Sequence, residues 1–106
     1  MNKFNQITSH GGELGEDVTL EVGAGVTWGD VYKYLEAHHP DRAVIGGDPR
    51  VGVAGWLLGG GYSLITNMHG LGIDNIGGFR VFVPSDRTFR NANDRENPEL
   101  FWALKV

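Results

Sequence analysis

Eleven of the chain's seventeen glycines fall between Gly46 and Gly78, and five of them, Gly52, Gly55, Gly59, Gly60 and Gly61, thread the apolar run from Val51 to Tyr62. A glycine turns with positive φ at no steric cost and lets another molecule reach the main chain with no Cβ in the way. Several in series present successive N–H groups, and such a concavity suits a phosphate or a diphosphate. No Lys or Arg stands between Val51 and Gly78, so backbone dipoles would carry the recognition while Val51, Val53, Leu57 and Leu58 anchor the segment. The same glycines serve equally as tight turns and close packing, and spacing leaves both readings open. A Walker-type G-x-x-x-x-G-K-[ST] loop is absent, as is a G-x-G-x-x-G after a strand with an acidic residue about twenty positions on.

The elements that must position this segment are legible around it. Val18, Leu20 and Val22 alternate within Asp17–Val22 and predict a half-buried strand. Thr27 and Asp30 form the pattern of a capping box, and Trp28, Val31, Tyr32 and Leu35 keep helical spacing until Pro40. Ala43–Ile45 is a short buried strand in this reading. Phe79–Val83 and Arg87–Ala92 flank the turn Pro84-Ser85-Asp86 as a hairpin. Asn97 caps a last helix with Pro98 at its first position. Residues 1–16 read as polar loop or terminus, and residues 1–106 read as one α+β unit, a mixed or antiparallel sheet flanked by helices. Trp28 and Trp102 are expected in the core, and Trp56 is expected to pack.

Composition narrows the partners. A formal charge of −4 and scattered basic residues speak against nucleic acid. The absence of cysteine excludes disulfides and thiolate chemistry. Met1–Gly12 lacks the apolar core of a signal peptide, and Val51–Gly61 is too short to span a bilayer, so no membrane partner is expected. His38 and His39 are adjacent, face different ways and make a poor metal pair.

Four strings in order, "GAGVTWGDVYKYL", "GGDPRVGVAGWLLGGGYS", "HGLGIDNI" and "NPELFWAL", cover most of the chain from Val18 to Leu104. Together they resemble the FAD-binding domain of the vanillyl-alcohol oxidase and p-cresol methylhydroxylase type, in particular its berberine-bridge-enzyme-like branch. The resemblance implies FAD held at Val51, Gly52, Gly55, Gly60, Gly61 and Tyr62, and at Gly70, Leu71, Asp74 and Asn75. Asp48, Pro49 and Val81 would lie beside the cofactor. For Asp74 and Asn75, a turn that bonds its own backbone is the competing reading.

The departures from the family pattern shape the rest. Doubly tethered members carry a cysteine where this chain has Asp48, which cannot form the thioether. An ionised Asp48 beside the isoalloxazine would disfavour negative charge there, and a solvated turn residue near the cofactor is the preferred reading. The histidine of the other tether has no counterpart, and His10 does not take its role. The family's substrate domain has no counterpart here either, so the chain reads as a fragment in which no residue is named as catalytic. The resemblance implies a flavoprotein oxidoreductase that passes electrons to O2, with a small-molecule substrate bound only in the complete enzyme. The alternative is a truncated remnant that binds flavin weakly or only associates with itself.

Overall fold

The computed structural model describes residues 4–11, 18–44 and 46–105. The order is β1 (Ile7–Gly11), β2 (Val18–Val22), α1 (Trp28–His38), α2 (Val53–Leu58), α3 (Thr66–His69), a 3-10 turn at Gly72–Asn75, β3 (Phe79–Val83), β4 (Thr88–Ala92) and α4 (Pro98–Lys105). The fold is α+β, with its strands in two antiparallel pairs, β1–β2 and β3–β4. Ile7 stands opposite Val22 and Ser9 opposite Leu20, while Phe79 opposes Ala92 and Val83 opposes Thr88.

Local chemistry explains the first helix. Thr27 accepts from the Asp30 amide at 3.3 Å, and the Asp30 carboxylate accepts from the Thr27 amide at 3.1 Å, closing the capping box. Those bonds, led by the one from the Thr27 backbone, hold the Asp30 carboxyl below its ordinary range. Trp28, Val31 and Leu35 then bury one face of α1. They form the core with Val26 and Val53, and Ile7, Leu20, Val22, Tyr32, Val44, Trp56 and Leu57 pack around it. The end of α1 is tied to β1, because Ser9 Oγ accepts from Tyr34 Oη at 2.9 Å and lies 3.1 Å from His39 Nε2.

Several sequence expectations change in the fold. Ile7–Gly11 is a strand, where a polar loop was expected, because pairing with β2 satisfies a backbone whose side chains alone carry little pattern. The glycine-rich run contains the helix α2, with Gly52 at its N-cap and Gly59 after its last turn. Ala43 and Val44 lie in no strand, while Ile45 falls outside the described residues, as does Asp17. Trp102 is 70% exposed on α4, against 6% for Trp28 in the core. Asn97 precedes Pro98 as expected, but its side-chain amide donates to the Asn91 carbonyl at 2.8 Å instead of capping α4.

Candidate functional site

The glycine-rich segment is docked on the start of α1. Trp28 and Gly29 donate their amides to the carbonyls of Val51 and Pro49, and Val53 donates to Val26, at 2.9–3.0 Å. Thr27 and Gly52 thereby form an isolated antiparallel bridge. The preceding turn is closed by Val51 N–H on the Asp48 carbonyl at 2.9 Å. Asp48 Oδ1 accepts from the Arg50 amide at 2.9 Å, and both carboxylate oxygens meet the Arg50 guanidinium, at 3.0 and 3.2 Å. Those Arg50 side-chain and backbone bonds lower the Asp48 pKa. Asp48 is thus a solvated turn residue whose charge is matched at once by its neighbour.

Apart from Leu57 and Leu58, which lie in the body of α2, the amides from Val51 to Tyr62 fall into two sets. Val51, Val53, Trp56, Gly59 and Gly60 donate to Asp48, Val26, Gly52, Gly55 and Leu57 respectively. Those of Gly52, Ala54, Gly55, Gly61 and Tyr62 find no acceptor among the described residues. Space divides the glycines differently. A Cβ added at Gly52 or Gly55 would meet nothing within 4 Å. At Gly61, whose φ is +77°, it would stand 2.8 Å from Trp56 and 2.9 Å from the Gly72 Cα. Gly61 is needed by the chain's own turn, whereas the space at Gly52 and Gly55 is open to an outside molecule.

The second string joins the first through the backbone. Gly72 N–H donates to the Gly61 carbonyl at 2.7 Å, and Ile73 N–H to the Gly60 carbonyl at 3.1 Å. Gly70 has φ +80°, and a Cβ there would lie 2.9 Å from Asp74 Oδ2. That oxygen accepts from the Leu71 amide at 2.9 Å, and Asn75 Nδ2 donates to the carbonyls of His69 and Leu71, both at 3.0 Å. Both side chains brace their own turn, which is the arrangement the competing reading anticipated. Tyr62 is exposed, and Val81 sits in the β3–β4 ladder opposite Arg90. The structure therefore brings together Asp48 to Tyr62 and Gly70 to Asn75, while Val81 belongs to a separate hairpin.

An aromatic cluster backs the segment. Trp28 stacks on Tyr32 with centroids 6.0 Å apart and meets Trp56 edge-on at 5.0 Å and 85°. Tyr32 Oη donates to the Gly47 carbonyl at 2.7 Å and accepts from the Gly46 amide at 3.2 Å. A Cβ at Gly46 would land 2.3–2.5 Å from ring atoms of Trp28. The sequence reading named neither Tyr32 nor the Ala54 amide for this site; both depend on contacts between segments that no local pattern reveals. Among the described residues, no group of three His, Asp or Glu side chains could hold a metal ion, and no helix is long and apolar enough to cross a membrane.

A sequence model described as "FAD binding domain" matches residues 1–91. The chain belongs to that FAD-binding family. It is 46% identical over 88 residues to the FAD-dependent monooxygenase yanF of Aspergillus niger, covering 82% of this chain and 15% of that protein. Over 95 residues it is 44% identical to the FAD-dependent monooxygenase tpcD of Cochliobolus heterostrophus, covering 88% of this chain and 18% of that one. It is also 42% identical over 93 residues to the FAD-linked oxidoreductase ffsJ of Aspergillus flavipes, covering 86% and 14%. The chain thus spans less than a fifth of the length of these relatives. FAD is the cofactor of the family, and open ground over Gly52 and Gly55 with unspent amides beside it is chemically suited to an anionic group of the kind that cofactor carries.

Proposed function

We propose that this FAD-binding chain contributes the diphosphate-holding part of an FAD-linked oxidoreductase of the berberine-bridge-like branch, one that uses O2 as electron acceptor. The observation that carries the reading is the pair of glycines at 52 and 55. They occupy positions where a side chain would meet nothing of this chain, next to amides with no acceptor among the described residues. Buried or ligand-facing amides seek partners, and phosphate oxygens are strong acceptors. The amides of Gly52, Ala54 and Gly55 would grip one side of the diphosphate, and those of Gly61 and Tyr62 the other. Gly60, Gly70, Leu71, Asp74 and Asn75 would hold the second wall in place through backbone bonds. Asp48 and Pro49 would border the cofactor, and Asp48, paired with Arg50, would place little net charge there. Val81 would lie near the adenine end.

Bound flavin supplies the two-electron chemistry of such enzymes, and the protein supplies binding, orientation and electrostatics. Two of the relatives compared are named monooxygenases, which supports O2 as the acceptor. The substrate would bind on parts of the complete enzyme that these residues do not contribute. A second reading, a remnant that chiefly associates with itself, is favoured by apolar side chains left open at Leu64, Met68 and Trp102.

Titration of the purified chain with FAD, followed by flavin fluorescence and by sedimentation, separates the two readings. Saturable binding by a monomer supports the first. Self-association with unchanged flavin fluorescence supports the second and overturns the first.

A further inference from the structure

Three glycine segments far apart in sequence meet on one indole. A Cβ added at Gly47 would stand 3.0 Å from Cδ1 of Trp56, one at Gly61 would stand 2.8 Å from its Cζ3, and one at Gly72 would stand 2.5 Å from the same atom. The ring is also wedged against Trp28 in an edge-on contact. Trp56 follows Gly55 directly, and its amide closes the first turn of α2 on the Gly52 carbonyl at 3.1 Å. Close-packed side chains transmit strain, so a displacement of this ring is passed on to the backbone segments packed against it.

We propose that Trp56 is the positioning residue of the flavin cradle. Its indole sets the gap between the open amides of Gly52 to Gly55 and that of Gly61, so that one diphosphate meets both. The proposal rests on the FAD reading above and deepens it. Trp56 touches no part of the cofactor on this account and acts through the three glycines that abut it. A simple core plug would lend stability without setting any affinity, and that difference is measurable.

Gly72→Ala is the sharpest probe. Its new methyl would strike Trp56 Cζ3 at 2.5 Å and Leu57 Cδ2 at 2.8 Å. The leucine tip can rotate away, but the ring is held by Trp28 and must shift. In a fluorescence titration, Gly72→Ala is expected to weaken FAD binding about tenfold or more. Adding Trp56→Phe, which removes the struck part of the ring, is expected to bring the affinity back to within about threefold of Trp56→Phe alone. Wild-type affinity in Gly72→Ala, or no recovery in the double variant, would overturn the proposal. A flavin-free readout stands beside it. Gly72→Ala should move the amide resonances of Gly47 and Gly55 in the parent chain, and leave them in place when Trp56→Phe is also present. Movement in both backgrounds, or in neither, contradicts the positioning role. A parent chain that takes no FAD defeats the cofactor reading, and these resonances then still decide whether the indole couples the segments.

Discussion

The glycines of this chain stand in two different settings, and the contrast between Gly46 and Gly55 separates them. At Gly46 a methyl group would enter the ring of Trp28, so the chain's own core demands glycine. Gly55 sits on α2, where alanine would be the better helix former, and a methyl group there would meet nothing. One glycine is explained by packing. The other costs helix stability with no packing reason, and on the proposed reading it keeps room for the cofactor. Glycine content alone cannot tell these apart, whereas the space above each Cα does.

The largest expected effect lies on the packed side. Trp28→Ala should destabilise the chain by about 3–5 kcal/mol, since it empties the centre of the core, while Trp102→Ala on exposed α4 should change stability by less than about 0.5 kcal/mol. Denaturant unfolding of the two variants checks this, and equal losses would deny that the main buried cluster is built around Trp28 and leaves Trp102 outside it. Gly46→Ala comes next, at about 1–3 kcal/mol for forcing a methyl group against a fixed ring. Thr27→Ala should cost about 1 kcal/mol, because it leaves the Asp30 amide without its cap.

Acid sharpens the last of these. The Asp30 pKa is lowered in the folded chain, first by the Thr27 backbone bond. A depressed carboxyl contributes stability that is complete above the ordinary carboxylate range and is lost as the pH falls through the folded value. Asp30→Asn should therefore be less stable than the parent near neutral pH, and the difference should shrink as the carboxylate is protonated. A difference that grows in acid would contradict the capping geometry.

How much of this was legible in advance follows from the range of the interactions. The strand expected at Asp17–Val22 and found at Val18–Val22, the capping box of Thr27 and Asp30, and the hairpin around Pro84 are written in neighbours two to five residues apart. Strand β1 was not legible, because its apolar content is slight and its partner β2 makes it a strand. Helix α2 was hidden by Gly55 within it and by the glycines on either side, which read as loop by propensity. In the candidate site, the family strings mark Gly52, Gly55 and Gly61. The internal duties of Asp74 and Asn75 are spent on backbone groups at His69 and Leu71. That the rings of Trp28 and Trp56 abut glycines from separate segments is a long-range fact that no periodicity carries.

The central claim is that open ground over α2 is reserved for FAD, and Gly55→Ala tests it most directly. The substitution keeps the amide and fills only the approach. It should leave stability unchanged or raise it by about 0.5–1 kcal/mol, while weakening FAD binding about tenfold or more. Parent-like FAD affinity in a stably folded Gly55→Ala chain would contradict the account.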